Sequence, residues 1–167
     1  MRLAEKSEAG FGKQRLSDRF ESLHLVLRGR YPFIDRMAMA IYDPQTDLLK
    51  TLCSSNVGLE PLVAHQARLA DVPSLHALAE SGRSRVIDDL AADLRAPTVH
   101  TGWLKAQAFR SSYTLPIRQG DELTGFLFYD SRQPKAFDAT VVAFLDVFSE
   151  LAVRFYVAET AAVRTLI

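Results

Sequence analysis

The sequence predicts an α+β domain, in which a mostly antiparallel sheet is combined with a helix at each end of the chain. Two hairpin patterns and two helical stripes of apolar residues carry this prediction. The stronger hairpin joins apolar stretches at 112–117 and 123–129 through a polar turn, where Gly120 tolerates the backbone angles of a tight turn. The other hairpin joins strands at 36–42 and 48–54 through a turn that begins Asp-Pro.

The remaining elements follow from local patterns along the chain. Residues 1–12 are polar and we expect them to be flexible, so a single domain spans 13–167. The first helix begins near Lys13 and ends near Gly29, and its apolar stripe is Leu16, Phe20, Leu23 and Leu27. Between the hairpins lie four short elements: a strand at 65–69, a helix opened by Pro73 and stopped by Gly82, a strand at 85–90 and a helix at 98–109.

The last helix, from about Ala139 to the end, is apolar over much of its circumference. One stripe is Val141, Leu145, Phe148, Ala152, Phe155, Ala162 and Leu166, and the stripe beside it is Phe144, Val147, Leu151 and Ala158. One side can pack on the sheet, and the other needs the N-terminal helix, a second subunit or both. We expect a homodimer through parallel terminal helices. The alternative is that one monomer buries both stripes.

The stronger hairpin has two different faces, because side chains alternate along a strand. One face is bulky and apolar, and is formed by Tyr113, Leu115, Ile117, Leu127 and Tyr129. The other combines hydroxyls, aromatic rings and a carboxylate, and is formed by Ser112, Thr114, Phe126, Phe128 and Asp130. Neither face carries the charges of a solvated surface. We therefore expect the hairpin to be central in the sheet and covered on both sides.

The second face is the predicted binding site. The first strand adds Ala38, Ala40 and Tyr42 at positions of one parity, and the alanines leave volume above the sheet. We expect His100 and Trp103, on the helix at 98–109, to form the roof. Apolar walls with a few polar groups are typical of small-molecule sites.

Two of these residues have alternative interpretations. His100 also fits a core or helix-terminal histidine that is satisfied by a backbone carbonyl. Asp130 also fits a strand-end residue that is hydrogen-bonded to the turn at 131–134.

Composition limits the function classes. Twenty basic residues balance twenty acidic ones, so no net field favours nucleic acid or an anionic membrane. The apolar runs are too short to span a bilayer, and no secretory apolar segment follows the N-terminus. We expect a cytoplasmic domain with neither nucleic-acid nor membrane partners.

Residues that could carry catalysis or bind a metal are scattered. The single cysteine, Cys53, excludes an internal disulfide and lies in an apolar strand, where we expect it to pack. The four histidines lack ligand spacing, and Asp88, Asp89 and Asp93 are typical of a solvated loop. No catalytic triad motif, phosphate-binding glycine loop or paired catalytic carboxylate is present. We expect neither enzymatic activity nor a metal site.

The order of elements resembles a GAF domain over roughly residues 14–160. The most specific part is the segment RSSYTLPIRQGDELTGFLFYDSRQPKAF, which follows a helix that contains a histidine. The resemblance implies a five- or six-stranded antiparallel sheet of the GAF or PAS type. Terminal helices would cover one face, and short helices and loops would enclose a ligand pocket on the other. It also implies a sensory or regulatory role in a signalling protein, with an effector domain or signalling partner.

A narrower likeness lies at 94–112, which is similar to the chromophore-helix region of phytochrome GAF domains. It would place His100 against a tetrapyrrole, and Ser112 and Thr114 near its propionate. Val99 stands where pigment-attaching forms have a cysteine, and the upstream proline-containing pigment motif has no counterpart. We therefore expect no covalent bilin and colourless protein.

Two other branches of the family also lack their signatures here. The Asn-Lys-Phe-Asp-Glu signature of the cyclic-nucleotide branch is absent, and one cysteine cannot supply the redox chemistry of the methionine-sulfoxide-reducing branch. We expect reversible binding of a small molecule that the sequence does not identify. The alternative is a dimerisation or scaffold module whose pocket is filled by its own side chains.

Overall fold

The computed structural model describes residues 2–58, 66–92 and 106–165, and the side chains of 14–58, 66–92, 106–159 and Ala161. The elements are α1 (Arg2–Arg30), β1 (Arg36–Asp43), β2 (Leu48–Asn56), β3 (Gln66–Arg68), a 3-10 turn (Leu69–Asp71), α2 (Pro73–Ser81), β4 (Arg85–Ile87), β5 (Ser111–Gln119), β6 (Glu122–Ser131) and α3 (Ala139–Thr165). Strands and helices together make an α+β domain, as predicted.

The strands form one six-stranded sheet in the order β3-β2-β1-β6-β5-β4. Every neighbouring pair is antiparallel. The β5–β6 hairpin lies inside the sheet, between β1 and β4, which confirms its predicted central position. Its turn contains Gly120 at φ 60°, in the left-handed region that a tight hairpin requires.

One face of the sheet is covered by α1 and α3. Arg19 of α1 lies 3.2 Å from Glu159 near the end of α3, whereas Tyr31, just after α1, contacts Phe144 near the start of α3. The two helices therefore run antiparallel. The core beneath them includes Cys53, which packs as predicted, together with Phe20, Leu27, Met37, Met39, Tyr113, Leu127, Tyr129, Leu145 and Phe148.

The opposite face is covered at one end by α2 and the 3-10 turn. One cluster with strand residues is formed by Leu69 of the turn, Val72 between the two elements, and Leu75 and Leu78 of α2. Gly82 ends α2 in the left-handed conformation, with its N–H donating to the Leu78 carbonyl. The predicted stop of this helix is confirmed.

Three boundaries differ from the sequence predictions by three residues or more. The first helix begins at Arg2 rather than Lys13, because alanine, leucine, glutamate and lysine favour helix even where no apolar stripe marks it. β4 ends at Ile87, since Leu90 turns into a small buried cluster with Phe109. Residues 98–105 of the predicted helix at 98–109 lie outside the described residues, and the described end of that helix is Ala106.

Candidate functional site

The strand register brings most of the predicted site residues together on one face. Ala38 lies opposite Phe128, which lies opposite Thr114. Asp130 lies opposite Ser112 in the neighbouring row. All five residues are buried. These residues are therefore neighbours on one face, as the alternation of side chains along the strands predicts.

Arg36, which was not among the predicted site residues, also lies on this face. This residue pairs with Asp130 in the β1–β6 register, and its Nη1 donates to Asp130 Oδ2 at 2.5 Å. Arg36 is 1% exposed and Asp130 is 0% exposed. A signal was present in the sequence, because Arg36 has the same parity as Ala38 and Ala40 and so belongs to the same face.

The alternative interpretation of Asp130, as a residue bonded to the turn at 131–134, is wrong. Its carboxylate pairs with Arg36 instead. Three other side chains bond this turn. Ser111 Oγ donates to the Gln133 carbonyl at 2.6 Å, Ser131 Oγ accepts from the Gln133 N–H at 3.1 Å, and Asp35 Oδ2 accepts from the Arg132 N–H at 2.8 Å. Neighbouring side chains thus make the hydrogen bonds to the turn that were predicted for Asp130. The Asp130 carboxylate stays on the face of the sheet that carries Ser112 and Thr114, which we call the site face.

The second carboxylate oxygen of Asp130 is a buried polar atom of this face. Among the described residues, buried Oδ1 has no hydrogen-bond partner. Burial raises the pKa of Asp130, while the charge of Arg36 and hydrogen bonds from Arg36 and the Ser112 hydroxyl act in the opposite direction. A buried acceptor without a donor is costly, and a native protein usually supplies water or a ligand there. Oδ1 is therefore a buried acceptor on this face that lacks a donor among the described residues.

The site face has two halves of different character. Arg36, Ser112, Thr114 and Asp130 form what we call the polar half. Ala40, Phe126 and their neighbours form the apolar half, which is packed by aliphatic residues: Leu49, Leu69, Val72, Leu75 and Leu78. The space expected above Ala40 thus lies within a cluster of the chain's own side chains.

Tyr42 lies at the margin of the apolar half. It is half-buried, and its hydroxyl donates to Asp47 Oδ1 at 3.0 Å. The strand separates it from Arg36 by six positions, about 20 Å of extended chain. Tyr42 and Asp130 therefore cannot serve as two ends of one compact site.

His100, Trp103 and Val99 lie outside the described residues. The chain on either side of 93–105 is joined by Asp89 and Arg110, whose side chains form a bidentate pair at 2.9 and 2.6 Å. The Leu90 N–H also donates to the Arg110 carbonyl at 2.6 Å. These contacts hold the flanking residues beside the end of β5 that carries Ser112.

The strands of the polar half are also tied to α3 from their opposite face. The Tyr129 hydroxyl lies 2.8 Å from Ser149 Oγ, and the Tyr113 hydroxyl donates to Asp146. Burial, followed by the hydrogen bond to Asp146, raises the pKa of Tyr113 to about 12. Tyr113 follows Ser112 and Tyr129 precedes Asp130 in the sequence. The strands β5 and β6 therefore carry polar-half residues on one face and contact α3 through the other.

A separate groove of about 310 Å³ lies on the helix side of the sheet. It runs between residues 115–118 of β5 and Asp146, Glu150 and Arg154 of α3. Its lining shares no residue with the predicted site, so it does not correspond to the predicted pocket.

Two further properties concern the described ranges alone. No helix there is long and apolar enough to cross a bilayer. No three histidine, cysteine or acidic side chains converge there in a way that could hold a metal ion.

Solved structures with the same fold are numerous. The phycocyanobilin-bound GAF domain of a cyanobacterial phytochrome is 20% identical, with a TM-score of 0.63 over 90% of this chain and 92% of the other. The free methionine-R-sulfoxide reductase of Neisseria meningitidis, in complex with its substrate, is 18% identical, with a TM-score of 0.66 over 88% and 81%. The GAF domain region of a putative membrane protein from Geobacter sulfurreducens PCA is 15% identical, with a TM-score of 0.64 over 97% and 98%. At these identities the likeness concerns the fold.

The sequence itself gives the family. No curated protein matches the chain. The GAF domain family matches residues 21–154, which include both terminal helices in part and the whole sheet. The chain therefore belongs to the GAF domain family.

Proposed function

We propose that this chain is the sensory or regulatory domain of a signalling protein, and that it binds a small molecule reversibly at the polar half. The observation that carries the proposal is the buried Arg36–Asp130 pair with its unsatisfied Oδ1, beside the small residues Ser112 and Thr114. Two proteins of this fold are described with a phycocyanobilin and with a substrate bound. An effector domain or signalling partner would receive the output.

Transmission to the terminal helices has a direct physical basis. Ser112 and Asp130 face the site, and the adjacent residues Tyr113 and Tyr129 reach α3 through their hydroxyls. A ligand that shifts these two strands would therefore shift groups bonded to α3.

We propose that the outer surface of α1 and α3 forms a homodimer. Large apolar side chains are exposed there, with Leu25 at 73%, Val26 at 69%, Val147 at 71% and Leu151 at 44%. Arg19 contacts Phe155 and Arg30 contacts Phe144, which fixes how the antiparallel helices α1 and α3 are aligned along their axes. In this alignment Val26 lies at the same height along the pair as residues 147–151. Val147 and Leu151 of the second apolar stripe are thus left for a partner, whereas Phe144 of that stripe packs on Tyr31. A second copy carries no net charge to oppose association.

We propose that the domain is not catalytic. Cys53 is buried beneath the terminal helices, on the face opposite Asp130, so a thiol-dependent reaction at the polar half has no thiol among the described residues. The predicted cytoplasmic location stays a prediction.

The alternative function, a dimerisation or scaffold module, is favoured by one observation. The apolar half is packed by aliphatic side chains of α2 and the 3-10 turn. If the polar half is closed in the same manner, the domain contributes assembly alone.

Native mass spectrometry of freshly purified protein, combined with one variant, distinguishes these functions. We expect a retained small molecule that is lost on denaturation and is missing from Thr114→Leu. Filling a ligand space should leave the free energy of unfolding within about 1 kcal/mol of wild type, whereas overpacking a closed core costs about 1–3 kcal/mol. Protein without any bound molecule, together with a destabilised Thr114→Leu variant, would support the scaffold function. Ala40→Phe is the matched control, because its site is already packed and we expect it to be destabilised.

A further inference from the structure

The groove on the helix side of the sheet follows from the short length of β4. This strand pairs with β5 only at residues 112–114, so among the described strands none covers the outer edge of β5 from Leu115 onward. α3 lies beside this uncovered end, and the space between them is about 310 Å³. A volume of this order is sufficient for a small molecule.

The walls of the groove favour an aliphatic group over an added β-strand. Pro116 has no backbone N–H, and a proline on an edge strand opposes pairing with a further strand. Leu115 and Ile117 of β5 and Val153 of α3 give the groove apolar walls. Ile117 is buried and the other two are half-buried. The occupant that fits these walls is therefore a small molecule with an aliphatic part.

Four charged side chains of both signs line the groove: Asp146, Glu150, Arg154 and Arg118. Two of them are engaged by the protein, because Asp146 accepts a hydrogen bond from the Tyr113 hydroxyl and Arg118 donates to two backbone carbonyls. Glu150 and Arg154 are exposed and make no hydrogen bond or ion pair within the described ranges. These two are the charges that remain available to a ligand.

Glu150 and Arg154 do not neutralise each other. A glutamate four residues before a basic residue is the favourable order for an ion pair on a helix, yet the structure shows no such pair between them, and both side chains line the groove. One helical turn separates them, about 6 Å along the axis. A molecule that carries an ammonium and a carboxylate satisfies both charges, whereas a simple cation or anion satisfies one.

We propose that the groove binds a small aliphatic zwitterion, with its ammonium at Glu150, its carboxylate at Arg154 and its carbon chain against the apolar walls. This site is separate from the polar half, and it does not depend on the function proposed above. Asp146 and Ser149, which also line the groove, bond the tyrosine hydroxyls of β5 and β6. A ligand there would therefore contact the groups that join the sheet to α3.

Three compounds with the same six-carbon chain test the class. They are 6-aminohexanoate, hexylammonium and hexanoate, which carry both charges, the cation alone and the anion alone. Each is titrated at neutral pH into dialysed protein, and affinities are taken from ¹H–¹⁵N shifts of the Glu150, Val153 and Arg154 amides. We expect 6-aminohexanoate to bind at least about threefold more tightly than either singly charged compound, as one additional exposed ion pair predicts.

Variants assign each end of the ligand. Glu150→Gln should remove the advantage of 6-aminohexanoate over hexanoate, and Arg154→Gln should remove its advantage over hexylammonium. Both side chains are exposed, so both variants should fold, and thermal unfolding verifies this. The matched controls Glu21→Gln and Arg68→Gln change exposed charges on α1 and β3 and should retain the wild-type order of affinities.

The possible outcomes separate the class of ligand from the site. Equal affinities for the three compounds, or tightest binding of hexylammonium or hexanoate, would overturn the zwitterion class. A preference for 6-aminohexanoate that survives both groove variants would place the ligand elsewhere and overturn the assignment. Unchanged α3 amide shifts with all three compounds would overturn the site itself. None of these results alters the test of the polar half, which the retained-molecule measurement decides.

Discussion

The guanidinium of Arg36 and the carboxylate of Asp130 lie 2.5 Å apart, and neither side chain is exposed to solvent by more than 1%. Their strands are neighbours only because β6 returns to lie beside β1, although the two partners are 94 positions apart in the chain. The pair is fixed by the register of the sheet, and it sets the charge distribution of the polar half.

Removing one member of this pair should destabilise the fold much more than removing both. Asp130→Leu alone leaves a buried guanidinium without its carboxylate and should cost about 3–5 kcal/mol of unfolding free energy. The double variant Arg36→Met/Asp130→Leu should lie near wild type. Urea denaturation of wild type, both single variants and the double variant measures this. Equal losses in the single and double variants would contradict the expectation.

His24 should make the stability of the domain depend on pH. Its Nε2 donates to the Ile34 carbonyl at 3.0 Å, and its Nδ1 lies 2.8 Å from the Ser55 hydroxyl oxygen. Burial lowers the pKa of His24 below its ordinary value of 6.5. The unfolded chain therefore takes up a proton first as the pH falls, so this stabilisation is complete above pH 6.5 and is lost below it.

Denaturation curves at pH 7.5 and 5.5 test this dependence. The fall in unfolding free energy between these pH values should be smaller in His24→Gln than in wild type. Exposed His76 provides the control, and His76→Gln should retain the wild-type dependence. Identical pH profiles for His24→Gln and wild type would exclude His24 as the source.

Tyr129 and Ser149 should be energetically coupled. Their oxygens lie 2.8 Å apart in the core between the sheet and α3. We expect a coupling energy of about 0.5–1.5 kcal/mol from the cycle of Tyr129→Phe, Ser149→Ala and the double variant. Additive losses would show that the sheet and α3 are joined at this point by packing alone.

Gly125 should be intolerant of a side chain. A Cβ built there would lie 2.1 Å from the Ala40 carbonyl oxygen, because β6 crosses very close to β1. Gly125→Ala must move the backbone, and we expect a loss of about 1–3 kcal/mol or more. The control is Gly29→Ala in α1, where nothing lies within 4 Å of a built Cβ. That variant should match wild type or gain up to about 1 kcal/mol. Thermal unfolding of both variants is the measurement.

The proposed dimer depends on the exposed apolar residues of α1 and α3. Light scattering at micromolar concentration should give a dimer for wild type and a monomer for Val147→Glu/Leu151→Glu. Val57→Glu, which changes an exposed apolar residue elsewhere, should remain dimeric. A strictly monomeric wild type would rule out this assembly.

Much of the architecture was predictable because it depends on local periodicity. The alternation of Tyr113 and Tyr129 with Ser112 and Asp130 depends only on strand geometry, and it separated the two faces correctly. The helical stripes likewise predicted two terminal helices, and the resemblance to a GAF domain implied that both cover one face. The second stripe of α3 was predicted to need a partner, and Val147 and Leu151 are exposed.

By itself the sequence determined which side chains share a face, since neighbours along a strand or helix are fixed by backbone repeats of two and of about 3.6 residues. Only the tertiary structure decided which of those faces meet across long separations. It paired Arg36 with Asp130 rather than leaving that carboxylate to its own turn, and it packed α2 over the Ala40 end of the site face. These contacts depend on strand order and register, because residues far apart in the chain become neighbours only when the whole sheet has formed.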